Sequence, residues 1–470
     1  MKVRVAYPYL VVGAIFAACR SDSPPTTAPL SGARASSASL GSDDAMDQAI
    51  RMRLAERAKT PQEARDDIEG GGNIVIVGFR PPGAMAGVDS KGQSRVSARM
   101  REVYADSSAR GATRVIHRFK NIPAIALEFD NAGVAEALRH KPWVDYVAPN
   151  TGFVTPEFTS CGLGANEVPA PPGDPDVPQI VPWQASKIGA DTVWARGITG
   201  VSSFNRDLII FGDGVVEHNT SPSQPSGPDL YTEIINWYVP WSSLDGRHET
   251  PVVGAAAARN NGVGTIGIAP GARVRVDKIL EGDSAKINYL AIAIDNEAAY
   301  SWVMNLSWGH NTTNPVAAPV WLPILDAIRN AYYTYNVIFV TSTGNLDRGD
   351  LYHFPAVFDE VVGVGGSGGT DGHVYNNWAP GNVEISAPAA AVVTVCKGGQ
   401  TGTAHGTSFA APLVAGAFML LKQAYPTESA SRLRERVRLT AKPMAGGANK
   451  VARVELAFAR RSTFPQHQVP

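Results

Sequence analysis

Residues 404–416 read AHGTSFAAPLVAG, and no other stretch of the 470-residue chain restricts its fold as much. Ser408 is followed by Ala410, Ala411, Ala415 and Gly416. Such a thin helix gains stability only when neighbours press close against it. The spacing therefore predicts a helix from Ser408 through Leu421 inside a core. Pro412 is expected in its first turn, where a missing N–H breaks no intrahelical bond. Ser408 then stands at a helix start, where amides and the helix dipole favour developing negative charge. A nucleophilic serine needs that, together with open approach and a general base. Gly-Thr-Ser by itself also reads as an ordinary N-cap.

The rest of the chain falls into stretches of distinct character. Lys2 and Arg4 precede an apolar run from Tyr9 to Ala18, too short to span a bilayer, so residues 1–19 read as an export signal. Phe16-Ala17-Ala18-Cys19 resembles a bacterial lipoprotein box, which makes Cys19 a lipidation site; an ordinary cleaved secretion signal is the other reading. Both place the protein outside the cytoplasm, as a cell-envelope lipoprotein or a secreted protein. Cys161 and Cys396 then remain in an oxidising compartment, and whether they pair stays open. Residues 20–71 form a Ser/Pro/Ala-rich tether and a charged, helix-like segment. Residues 72–150 alternate as strand 74–79, helix 94–104, strands 113–119 and 124–129, helix 131–140 and strand 144–147. That is the split βαβ, ferredoxin-like order. Residues 151–180 are a Pro/Gly-rich linker, and 463–470 a tail. Over 181–462 strands alternate with helices, which predicts a doubly wound, mostly parallel α/β sheet. With 42 basic and 43 acidic residues the net charge is -1, which gives no footing for nucleic acid or an anionic membrane surface. Charged residues at 18 % and 46 glycines suit a loop-rich α/β enzyme, not a coiled coil or a disordered chain.

Three further segments carry residue types that nucleophilic catalysis requires. His248 opens HETPVVGAAAARNNGVGTIGIAPGARV, where Val252, Val253, Ala256 and Ala257 are spaced for a buried helix. Asn345 closes the apolar strand VIFVTSTGN. Asn305-Leu306-Ser307-Trp308-Gly309 follows the strand Trp302–Met304. Together with residues 404–416, these segments resemble the subtilases, the subtilisin-like serine proteases. KPWVDYVAPN, which closes residues 72–150, resembles the end of their inhibitory propeptide. The resemblance implies Ser408 as nucleophile, His248 as general base, and Asn345 with the Ser408 amide as oxyanion donors. It implies that the backbone at Ser307, Trp308 and Gly309 pairs with an extended polypeptide substrate by strand addition. It also implies an activating cut within 151–180 and the propeptide as intramolecular inhibitor. No cofactor is required; structural calcium occurs in the family, but no Asp-rich loop fixes a site here.

The departure lies at Phe211-Gly212-Asp213-Gly214. Subtilases carry Asp-x-Gly there, and that Asp orients the histidine; Gly212 occupies its position. A shift of one residue moves a side chain about 3.3 Å along a strand and to the opposite face. Asp213 is provisionally expected to orient His248, provided Gly212 forms a bulge at positive φ. Otherwise the triad is incomplete, and Gly212→Asp should raise activity. Glu249 stands where the family has Gly. Adjacent helical side chains diverge by about 100°, so Glu249 is expected to be a first-turn carboxylate that does not face the imidazole. The leading reading is an exported, self-processing serine endopeptidase. The alternative is a catalytically weak relative that binds peptides in the same cleft. An esterase is weaker, because Ser408 lacks the Gly-x-Ser-x-Gly elbow.

Overall fold

A computed structural model describes residues 73–80, 98–154, 161, 179–215, 230, 232–237, 246–281, 284–314, 319–370, 372, 374, 377, 379, 381–444 and 450–451. The signal segment with Cys19, the tether and charged segment, most of the linker and the tail lie outside the described residues.

The first unit is an antiparallel sheet carrying two helices. Its elements are β1 (Ile74–Phe79), α1 (Ala98–Ala109), β2 (Arg114–Arg118), β3 (Ala124–Glu128), α2 (Ala132–Ala137) and β4 (Val144–Pro149), with sheet order β2-β3-β1-β4. This is the split βαβ order, although α1 ends five residues further along the chain than expected. Strand alternation gives the sheet two apolar faces. Val75, Val77, Ile125 and Leu127 pack with the unit's own helices, around Ala105 and Ala135. Ile76, Ala124, Ala126, Tyr146 and Ala148 face outward into the core of the second unit. β5 (Gly152–Val154) continues past the sheet.

The second unit is doubly wound. It contains β6 (Asp207–Gly212), β7 (Thr232–Trp237), α3 (Glu249–Ala257), β8 (Val274–Lys278), β9 (Leu280–Glu281), β10 (Ser284–Lys286), α4 (Ile287–Glu297), β11 (Ser301–Leu306) and β12 (His310–Thr312). It continues with α5 (Leu322–Tyr335), β13 (Ile338–Ser342), β14 (Tyr352–Phe354), β15 (Val361–Ser367), β16 (Ile385–Pro388), β17 (Val392–Val395), β18 (Thr401–Ala404), α6 (Thr407–Ala424) and α7 (Ala430–Thr440). Strands β16-β15-β13-β11-β6-β8-β7 are neighbours in that order, and every adjacent pair is parallel. All of β6 is buried. Leu208 and Ile210 join the core with α3 and α6, while Ile209 and Phe211 join the core with α4 and α5. Period-2 alternation of an all-apolar strand thus commits helices to both faces of the sheet. The mostly parallel α/β architecture expected from the sequence is the one observed.

The outward face of the first sheet is covered by α4 and α5 of the second unit. Polar contacts fix that docking. Asp295 near the end of α4 accepts the backbone N–H groups of Lys120 (2.9 Å) and Asn121 (3.2 Å). The Tyr146 hydroxyl donates to Asp326 at 3.0 Å, and Asn150 Oδ1 accepts the Asn288 N–H in the first turn of α4 at 3.0 Å. β5 adds antiparallel to β10, which makes a three-stranded ribbon with β9. Cys161 and Cys396 form a disulfide, Cα–Cα 5.5 Å, across a separation of 235 residues.

Candidate active site

The parallel sheet fixes where chemistry gathers, because ligand sites in such sheets form at the carboxyl ends of the strands. Phe211, Leu306 and Thr341 are register partners in β6, β11 and β13. Gly212, Ser307 and Ser342 therefore come next on three neighbouring strands, at one edge. The N-terminus of α6 meets the same edge, and Ser408 shares a pocket with Ser307, Trp308, Asn345, His353 and Thr407.

Ser408 is the second residue of α6 and is partly exposed. Its amide belongs to the first turn, whose N–H groups have no intrahelical acceptor. The cap residue Gly406 has φ 118, which a side chain would strain. Pro412 corrects one expectation. The helix starts at Thr407, so Pro412 lies inside it and not in the first turn. The missing N–H is the one that would bond the Ser408 carbonyl four residues back.

Asn345 adjoins the nucleophile segment. The Thr407 N–H donates to Asn345 Oδ1 at 2.8 Å, and the Thr407 hydroxyl lies 2.9 Å from the same oxygen. A backbone donor identifies the facing atom as oxygen, so the Asn345 NH₂ is turned the other way. Gly344, at φ 86, sets this turn. A Cβ there would come within 2.3 Å of Asn377 Nδ2. Ser307 and Trp308 line the pocket while nearly fully buried. The Trp308 indole N–H donates to the Phe211 carbonyl at 2.7 Å and so ties β11 to the residue before Gly212. At Gly309 a Cβ would meet the Phe354 carbonyl oxygen at 2.3 Å and His353 Nε2 at 2.4 Å.

His248 caps α3 and is buried, its ring 5.7 Å from that of Phe409, the residue after Ser408. Its Nδ1 lies 2.9 Å from Glu249 Oε1. The other carboxylate oxygen of Glu249 accepts the Asp213 N–H at 3.0 Å. Asp213 reciprocates with backbone contacts: it accepts the Glu249 N–H at 3.0 Å and the His248 N–H at 3.3 Å. Glu249 and Asp213 are both buried. Burial pushes the Glu249 carboxyl up to about 7, against hydrogen bonds from Asp213 and the nearby Lys278 cation that pull it down. Burial, and then the facing Glu249 charge, raise Asp213 well above the carboxylate range. Two buried carboxyls side by side resist double ionisation.

Two expectations are corrected here. Asp213 was expected to orient the imidazole through a bulge at Gly212. Instead Gly212 stays in the ladder opposite Lys278, without a register shift and without positive φ. The Asp213 carboxyl group accordingly holds the turn at the head of α3. Glu249 was expected to point away from His248. That argument fixes only the Cα–Cβ directions, and these do diverge, because His248 at the cap is itself helical (φ -94, ψ -50). The three side-chain torsions of Glu carry its carboxylate back along the chain. The sequence signal was available in the paired exchange of Gly at 212 and an acid at 249. His353, beneath the pocket, was not singled out. Its Nδ1 lies 2.7 Å from Asn311 Oδ1, and burial lowers its pKa to about 3, so it is a neutral wall residue. Among the described residues, no group of three or more His, Cys, Asp or Glu gathers as a metal ligand set.

A sequence model described as the subtilase family matches residues 221–458, a stretch that begins after Gly212 and Asp213. The minor extracellular protease Epr of Bacillus subtilis (strain 168) is 28% identical over 340 residues, covering 72% of this chain and 48% of that protein. The chain thus spans about half the length of that relative. The alkaline protease of Alkalihalobacillus alcalophilus is 28% identical over 333 residues, 70% of this chain and 76% of that one. Among solved structures, fervidolysin from Fervidobacterium pennivorans, a keratinolytic enzyme related to subtilisin, superposes with TM-score 0.57 at 19% identity, covering 82% of this chain and 60% of that one. MycP1 from Mycobacterium smegmatis superposes with TM-score 0.54 at 17% identity, covering 68% and 94%. At those identities the likeness is one of fold.

Proposed function

Because the chain belongs to the subtilase family, a family of serine proteases, we propose that it is an endopeptidase that cleaves polypeptides through an acyl-enzyme on Ser408. One observation carries this reading. Asn345 is bonded to the residue before Ser408, and His248 packs against the residue after it. The Ser408 Oγ bonds to the peptide carbonyl carbon as its proton passes to His248. With Nδ1 turned to Glu249, Nε2 is the nitrogen that takes it. The tetrahedral oxyanion is met by the Ser408 amide and the Asn345 NH₂. Collapse breaks the C–N bond, and His248 returns the proton to the leaving amine. Water then repeats the sequence on the ester and releases the acid. This chemistry needs no cofactor.

The same reading makes residues 72–150 an intramolecular inhibitor. Its support is the apolar face seated on α4 and α5 and the strand β5 added to β10, the arrangement an inhibitory segment needs beside a cleft that binds extended chains. Cleavage by Ser408 within 151–180 releases it. Export is supported by the charged and apolar start of the chain and by a relative named as extracellular. Cys19 is the anchor if a lipid is attached. The reading as a catalytically weak peptide binder rested on Gly212 and Glu249, and the Glu249 carboxylate at hydrogen-bond distance from His248 weakens both grounds.

A fluorophosphonate probe tests the proposal. The wild-type chain is expected to take the label on Ser408 and to hydrolyse a denatured protein substrate, and Ser408→Ala to do neither and to persist uncut. A properly folded wild type that takes no label would sink the reading.

A further inference from the structure

The first strand of the site offers no side chain at residue 212, yet the space before it is filled. A Cβ built on Gly212 would lie 1.8 Å from Cδ, 2.2 Å from Cγ and 2.2 Å from Oε1 of Glu249. The Glu249 carboxyl group therefore occupies the volume into which a residue-212 side chain would project. It does so in a defined pose. Oε1 faces His248 Nδ1 at 2.9 Å, and Oε2 accepts the Asp213 N–H at 3.0 Å. The Asp213 carboxyl group in turn holds the backbone N–H groups of His248 and Glu249. A carboxylate bound at both oxygens, with its own amide clamped, has little freedom left to leave the imidazole.

We propose that Glu249 is the positioning carboxylate of His248, delivered from the helix that carries the histidine and accommodated by glycine at the strand position 212. This inference rests on the peptidase reading above and deepens it. The Nδ1–H bond to Glu249 fixes the tautomer and ring orientation, and an anionic Glu249 stabilises the imidazolium formed when Ser408 gives up its proton. Asp213 acts one step further out, on the loop. The triad acid is thus a covalent neighbour of its base, and residue 212 and residue 249 have exchanged roles.

The groups facing Glu249 are His248 on its own segment, Asp213 on the loop after β6, and Lys278 at the end of β8. With the Glu249 carboxyl raised to about 7, the carboxylate is present above that pH and is lost as pH falls through it. The acid limb of the rate profile then belongs to the Glu249–His248 pair jointly.

Glu249→Gln keeps the shape and removes the charge. It is expected to lower kcat by ~10²–10⁴ with little change in KM, in the range seen when a triad acid is neutralised, and to displace the acid limb. Gly212→Asp alone should lower activity, because its Cβ takes the space of the Glu249 carboxyl group and drives it out of its present pose. Gly212→Asp combined with Glu249→Gly should recover activity above either single variant, since one carboxylate again faces Nδ1. A Glu249→Gln enzyme within twofold of wild type with an unmoved acid limb overturns the proposal, whatever the double variant does. If the wild type itself neither hydrolyses nor takes the probe, the peptidase reading fails instead. The His248 imidazole resonances then still report on the pair. Their titration must move to lower pH in Glu249→Gln, and an unmoved titration overturns the pairing.

Discussion

In the proposed mechanism the Asn345 side chain does two jobs. Its oxygen is held by Thr407, and that bond aims the amide nitrogen away from the helix cap. Replacing Asn345 by Ala removes both a donor and an orienting contact. Turnover is expected to fall by ~10²–10³ with KM changed much less, because the lost bond matters chiefly in the transition state; steady-state kinetics on a peptide ester checks it. Ser408, His248 and Asn345 were each legible as candidates from residue type and flanking pattern. Glu249 was legible as a departure and misjudged as a partner. The angle between adjacent helical residues says nothing of how far a Glu side chain can reach back, and the empty volume at Gly212 is a three-dimensional fact with no local signature.

Elements set the tolerances around those side chains. Helices α3 and α6 approach so closely that Gly416 has no room for a side chain; a Cβ would lie 2.8 Å from Ile268 Cβ and 2.9 Å from the Ala256 carbonyl oxygen. Gly416→Val is expected to destabilise the chain by about 1–3 kcal/mol through overpacking, read as a lower Tm in thermal unfolding. A loss of activity beyond the loss of folded protein would also follow, since α3 carries His248 and α6 carries Ser408. The helix over residues 407–424 was foreseeable from its small residues, and so were most strand cores. The place of Pro412 was not, because the helix begins earlier than its apolar pattern does.

At the scale of the whole molecule, the N-terminal sheet is stabilised by an apolar face it cannot cover with its own helices. Asp295 closes that contact by accepting two amides of the β2–β3 turn. Asp295→Ala, made together with Ser408→Ala to prevent cutting, is expected to speed hydrogen exchange at Lys120 and Asn121 roughly ten- to hundredfold, as the loss of charge-assisted hydrogen bonds implies. Unchanged exchange there would mean that the apolar face alone holds the unit. The disulfide between Cys161 and Cys396 belongs to this scale too. Sequence supplied two candidate thiols, and only the return of the chain brought their Cα atoms to 5.5 Å.

By itself the sequence determined the order of strands and helices, the two-faced core and the candidates for nucleophile, base and oxyanion donor. Those follow from periodicity, residue size and short-range motif, all of which act locally along the chain. Only the tertiary structure decided which carboxylate faces His248. That choice depends on the free volume between β6 and the head of α3, and volume between two elements exists only once they are packed.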